Sequence, residues 1–234
     1  MAVIHLVRHG QASFGAREYD KLSPLGTRQS THLGATLRER GLRPDRVASG
    51  TMTRHQETAA ACLTVLGDGL VPQTDERWNE FDHTDVIERH KPAYRSRVVM
   101  GLDLARTGSP GTAFQAMFDQ ALTRWTTADT GYHETWSAFS TRVSGALEDL
   151  AASLERSQTA LVFTSGGVIS AVAAKLLGGV ADRTSTGSDP ALWLNLNRVT
   201  VNTGVTTLIV GRRGTSLVTF NEHSHLDRTL LSYR

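Results

Sequence analysis

Arg8, His9 and Gly10 stand together at the end of the apolar run 2–7, and a second arginine, Arg54, follows Ser49 and Gly50 in the stretch SGTMTRHQETA. A third polar group, Ser165-Gly166-Gly167, follows the apolar run TALVFT at 159–164. Two guanidiniums, an imidazole and a glycine-rich helix start make a set shaped for phosphate. Arginine offers phosphate oxygens a planar fork of donors, and the N–H groups that open a helix add partial positive charge without any metal. Gly10, Gly166 and Gly167 permit close approach of backbone to a ligand. Taken singly, each has a plainer reading: Arg8 and His9 as a strand end in solvent, Arg54 paired with Glu57 on a helix surface. Their common placement is what favours one shared site.

That placement depends on the elements around them. Residues 2–7 and 159–164 are short, β-rich and almost wholly apolar, the pattern of strands buried on both faces of a parallel sheet, and DRVASG at 45–50 reads as a third. Between the first and third, Ser23 as N-cap, Pro24 at the first helical position, Leu33 and Leu37 one turn apart and Gly41 as a stop predict a helix. Ala59, Cys62, Leu63 and Leu66 keep helical spacing and predict a second helix over 53–66. A helical stripe from Trp136 to Leu154 leads into TALVFT, and Val168, Val172 and Leu176 continue beyond it as a helix ended by Gly178-Gly179. Residues 84–132, with Lys91-Pro92 and Ser109-Pro110-Gly111, predict an irregular or short-helical insertion that would serve as a cap or lid. The tail RVTVNTGVTTLIVGRRGTSLVTFN predicts antiparallel strands at one edge. The expectation is one α/β domain over 1–234, a three-layer α/β/α arrangement with a mostly parallel central sheet, an antiparallel edge and the insertion at 84–132. In such sheets ligands collect where strands give way to helices, and all three polar groups lie there.

Composition narrows the partners. With 25 Lys and Arg against 23 Asp and Glu, and no long run of like charge, neither nucleic acid nor a membrane surface is expected to bind. The single cysteine, Cys62, excludes an internal disulfide, which makes a cytoplasmic setting the default and the thiol a small core residue. No apolar run approaches the roughly 20 residues of a membrane helix.

LVRHG, LSPLGTRQS and SGTMTRHQETA together resemble the histidine phosphatase superfamily, also called the phosphoglycerate mutase-like family. ERWNEF looks like that family's acidic motif, and FNEHSHL is similar to its late strand and His-Leu ending. The resemblance implies that His9 attacks phosphorus and holds a phosphohistidine, that Arg8 and Arg54 clamp the phosphoryl oxygens, and that Glu80 protonates the leaving group. It implies a metal-independent phosphomonoester hydrolase that needs no cofactor and acts on a small phosphorylated substrate. The alternatives are a catalytically degenerate phosphate-binding or regulatory protein and a phosphoglycerate mutase-type phosphotransferase. A mutase must hold a released intermediate while it reorients, and 84–132 carries no motif for that. Arg89, Lys91, Arg95 and Arg97 suggest a further anionic group on the substrate, and the antiparallel tail leaves room for a homodimer contact.

Two departures stand out. The family has a second histidine before the glycine pair, donating to the phosphoryl group, where this chain has Ser165; and Gly15 stands where the family has a polar Asn. Ser165 is then a weaker neutral donor beside Gly166, or another imidazole compensates, His83 first and His223 or His225 next, or catalysis is lost. A serine hydrolase is the outside reading, because TSGGV lacks the first glycine of G-x-S-x-G and leaves Arg8, His9 and Arg54 without a role.

Overall fold

The computed structural model describes residues 1–13, 20–67, 69–128, 130–178 and 188–233. Gly15 and Gly179, which the sequence singled out, lie outside them. The chain divides into two compact units, Met1–Glu80 with Arg142–Arg234, and Phe81–Thr141.

The first unit is built on a six-stranded sheet of β1 (Ala2–Arg8), β2 (Arg46–Ser49), β3 (Gln73–Thr74), β4 (Thr159–Thr164), β5 (Val205–Gly211) and β6 (Gly214–Glu222), in the order β3-β2-β4-β1-β5-β6. β3, β2, β4 and β1 pair parallel, and β5 and β6 add an antiparallel edge. The expected α/β sheet is therefore present, mostly parallel, with helices beside it. His5 is the one polar residue among the strand positions of β1 before Arg8, and its Nδ1 lies 3.1 Å from Oγ1 of Thr207, its register partner on β5. That contact gives a half-buried imidazole a partner in an otherwise apolar strand.

Alternation along each strand sends Val7, Val47, Leu161 and Phe163 to one face, where they pack with Leu33 and Leu37 of α1 (Pro24–Glu39) and Ala59, Cys62, Leu63 and Leu66 of α2 (Thr53–Leu66). Each fully buried leucine contributes about 1.5–3 kcal/mol to this core. Ile4, Leu6, Ala160 and Val162 point the other way and are also buried. α7 (Gly166–Gly178) runs back against β1 and β6, and α8 (Pro190–Val199) packs on α7.

The two helices that reach the candidate site start in different ways. Ser23 caps α1, accepting from the Gly26 N–H at 3.1 Å, with Pro24 behind it. α2 has no side-chain cap from its own N-cap residue, Met52; Asp20 supplies one from a distant segment, its Oδ2 accepting from the Thr53 N–H at 2.7 Å.

One expectation gives way. The strand expected at RVTV does not form, since Arg198 and Val199 complete α8. Asp189 caps that helix, Pro190 opens it, and Trp193 is fully buried with its Nε1 donating to the Gly167 carbonyl at 2.9 Å; these outweigh the β propensity of four residues. Residues 84–132 are helical as the sequence allows, in the short α3 (His83–His90) and α4 (Arg97–Ala105) and the longer, 18-residue α5 (Pro110–Thr127), and α6 (Trp136–Ser153) leads the chain onward. Within this second unit Trp125 packs against Phe81 at 4.7 Å, Trp136 at 5.5 Å and Phe139 at 5.6 Å. Among the described residues no helix is long and apolar enough to cross a membrane.

Close approach of α1 to α2 fixes where α2 presents its first turn. A Cβ on Gly34 would lie 2.3 Å from the Cys62 carbonyl oxygen, so only glycine permits this spacing. Gly34→Ala is expected to cost about 1–3 kcal/mol of stability by forcing the helices apart. Urea unfolding of the variant beside wild type measures it.

Candidate active site

β2, β4 and β1 lie side by side and end at the same edge of the sheet. Arg8 pairs with Thr164 in register, and one step beyond, the His9 N–H donates to the Thr164 carbonyl at 2.8 Å. The Gly50 N–H donates to the Phe163 carbonyl at 3.1 Å, which ties the end of β2 to the same place. Arg8-His9-Gly10, Ser49-Gly50 and Ser165-Gly166-Gly167 are thereby brought together, as the sequence predicts.

The imidazole of His9 is held by its own loop. Nδ1 lies 2.7 Å from the Gly10 carbonyl oxygen, and because a carbonyl only accepts, Nδ1 carries the proton and Nε2 the lone pair. Gly10 is anchored in turn, its N–H donating to Thr58 Oγ1 at 3.0 Å while that hydroxyl donates to the Arg54 carbonyl at 2.6 Å. Burial drives the His9 imidazole well below its ordinary value of 6.5, and the charges of Arg54 and Arg8 and the nearby His55 add to the effect. His9 is a neutral imidazole with its lone pair on Nε2.

Arg54 is buried on the first turn of α2 and donates through Nη1 to Asp20 Oδ1 at 2.7 Å. Glu57, the surface partner that the sequence suggests for it, accepts instead from the Leu22 N–H at 2.7 Å. Arg54 Nε is buried without a hydrogen-bond partner among the described residues, a donor left for an incoming acceptor. Arg8 Nη1 donates to the carbonyls of Thr200 and Tyr233. Arg8 Nε also lies near Gly166, whose Cβ, were there one, would sit 3.4 Å from it. Glu80 reaches the start of α7, its Oε2 accepting from the Gly167 N–H at 3.0 Å.

Ser165 is fully buried, and its neighbour is an imidazole that the sequence reading passed over. His55 Nε2 lies 2.6 Å from Ser165 Oγ, and the His55 ring is 5.7 Å from that of His9. His55 is itself fully buried, and burial, with Arg54 behind it, holds its imidazole well below 6.5. A signal was present: the helical stripe Ala59, Cys62, Leu63, Leu66 extends backwards by four and seven residues onto His55. Of the histidines named from sequence, His83 opens α3 in the second unit, His223 Nδ1 is 2.6 Å from the Asn221 carbonyl, and His225 Nε2 is 3.3 Å from Thr203 Oγ1. Of the four cations of 88–97, Arg89, Lys91 and Arg95 have carboxylate partners within their own unit, Asp85, Asp103 and Glu88. Those ion pairs weaken the case for an added anion site there.

The profile of the histidine phosphatase superfamily (branch 1) matches residues 4–223, nearly the whole chain. The chain belongs to that superfamily. Among solved structures, a phosphoserine phosphatase of Entamoeba histolytica in complex with 3-phosphoglyceric acid aligns with a TM-score of 0.64 at 20% identity, over 96% of this chain and 99% of that one. A putative alpha-ribazole-5'-P phosphatase from Escherichia coli aligns with a TM-score of 0.61 at 19% identity, over 94% and 96%. These likenesses concern the fold. A curated 2,3-bisphosphoglycerate-dependent phosphoglycerate mutase from Chelativorans sp. (strain BNC1) is 32% identical over 99 residues, covering 39% of this chain and 48% of the mutase. The matched stretch thus spans about half the length of the curated relative. Phosphatases and mutases both stand among the superfamily member's neighbours.

The buried imidazoles make stability pH-dependent in a defined direction. His9 and His55 stay neutral in the fold but take up protons once unfolded below about pH 6.5, so the unfolded chain binds more protons on the acid side. Stability is therefore full above that pH and falls as pH drops through it, by up to ~1.4 kcal/mol per pH unit for each such imidazole. His5, also lowered by burial, and His225, lowered to about 4, add in the same sense. Urea unfolding at pH 7.5 and pH 5.5 is expected to show the loss, with a smaller loss in His55→Gln.

Proposed function

We propose that this superfamily member is a metal-independent phosphomonoester hydrolase working through a phosphohistidine on His9. The observation that carries the reading is the fixed tautomer of His9: with Nδ1–H committed to Gly10, a neutral Nε2 lone pair stands beside two arginines. In the first step Nε2 forms a bond to phosphorus while the bond to the ester oxygen breaks, and that oxygen takes a proton from the Glu80 carboxyl group. In the second step water attacks phosphorus and gives its proton to Glu80, and the P–N bond breaks, releasing orthophosphate and restoring the lone pair. Arg8, Arg54, Ser165 and the backbone at Gly166 stabilise charge as it spreads over the equatorial oxygens. Arg54 supports this role best, being buried with Nε open to an acceptor. A small phosphorylated metabolite is the substrate proposed.

His9→Ala is expected to eliminate turnover of an aryl phosphate, and brief exposure of wild type to a labelled phosphoester is expected to leave acid-labile label on His9. Binding without label or product would favour the phosphate-binding alternative. The curated mutase relatives support a second reading, phosphoryl transfer between positions of a phosphoglycerate. Interconverted phosphoglycerates in place of orthophosphate would decide for it.

A further inference from the structure

Ser165 Oγ and the two nitrogens of His55 must share two hydrogens, one from the hydroxyl and one from the neutral imidazole. One of them lies in the 2.6 Å bond between Oγ and Nε2. The other is carried either by His55 Nδ1 or by Ser165 Oγ. Nδ1 is buried without a hydrogen-bond partner among the described residues and faces Gly50, where a Cβ would lie 2.2 Å from it and 2.7 Å from Asn79 Oδ1; that oxygen accepts from the Thr51 N–H at 2.8 Å and makes no hydrogen bond to Nδ1. No acceptor of ligand size can enter there, so a proton on Nδ1 would be a stranded N–H in the interior, a rare and costly state. The tautomer that avoids it puts the proton on Nε2. His55 then donates to Ser165, and the serine's own hydrogen, which has no acceptor among the described residues, is left for one on a bound ligand.

That hydrogen lies beside the nucleophile. Arg8 and Thr164 are register partners, so Ser165 follows β4 as His9 follows β1, and the rings of His9 and His55 are 5.7 Å apart. We propose that His55 is a positioning residue for phosphoryl transfer, its Nε2–H fixing the Ser165 hydroxyl as a hydrogen-bond donor to the phosphoryl oxygen. A pair drawn from the residue after β4 and from helix α2 thus does the work of a single imidazole at position 165. This role rests on the phosphohistidine reading above. The polarity is the reverse of a serine nucleophile, in which Nε2 must accept the hydroxyl proton and Nδ1–H must be held by a carboxylate. Here Nδ1 lies against Gly50 and has no carboxylate partner among the described residues.

The tautomer can be read without any turnover, from the nitrogen-15 resonances of the His55 ring in the full-length chain. Nε2–H is the expected form; an Nδ1–H form would overturn the proposal. Kinetics on p-nitrophenyl phosphate supply the second arm. His55→Gln and Ser165→Ala are each expected to lower kcat about 10- to 100-fold with KM little changed, and the double variant to be no worse than either alone. Ser165→His with His55→Ala, which returns the imidazole to the strand, is expected to recover most of the lost rate. Losses that multiply in the double variant, or a His55→Gln enzyme with wild-type kcat and reduced stability alone, would overturn it, as would acid-stable label on Ser165. If wild type neither turns over the ester nor acquires label on His9, the phosphohistidine reading is what fails. The pair is then read from orthophosphate affinity in the same variants, where a shared loss supports it and independent losses sink it.

Discussion

One backbone hydrogen bond, from the His9 N–H to the Thr164 carbonyl, sets the distance between the two halves of the candidate site. It is the first bond beyond the paired residues of β1 and β4, and it exists because those strands are parallel and in register at Arg8 and Thr164. A slip of one residue would turn every side chain on β1 to the other face, exchanging Leu6 for Val7 against the α1 and α2 core. The apolar packing of the sheet therefore holds the register, and the register holds the imidazole. Everything polar at the strand ends is placed by interactions that are themselves apolar.

The same core explains how cations and imidazoles coexist in a buried place. Arg54 and the neutral rings of His9 and His55 are nearly inaccessible to water, an arrangement that disfavours a protonated imidazole at either ring. The arginines hold the positive charge and the histidines stay neutral. A dianionic phosphoryl group placed there would meet fixed cations and uncharged imidazoles, with little solvent to reorganise.

Much of this was legible in the sequence, and the gaps have physical causes. The apolar runs gave β1 and β4 because strands buried on both faces must be apolar throughout, and Ser23-Pro24 gave the start of α1 because a cap and a fixed φ act locally. β3 went unseen because it has two residues, Gln73 and Thr74, both exposed, and it takes its form from pairing with β2. α8 carried its signal in Asp189-Pro190, masked by the β-rich composition that follows. Arg8, His9, Arg54 and Ser165 came together as expected because each ends or follows a strong local pattern. Asp20 on Arg54 and Glu80 on Gly167 were not legible, since each spans segments that only the folded sheet brings near. His55 was legible in principle, on the buried stripe of α2, but a buried histidine acquires meaning only from its partner, and Ser165 is 110 residues away.

Asp20 does two things at the head of α2: it caps Thr53 and it holds Arg54. Successive residues on an α-helix point about 100° apart, so Arg54 and His55 leave the same turn in different directions. The rotational phase of one helix thus governs both, and no turn of α2 about its axis can improve one contact without spoiling the other. A carboxylate outside the helix, joined to it by two hydrogen bonds, works as the stop against which that phase is set.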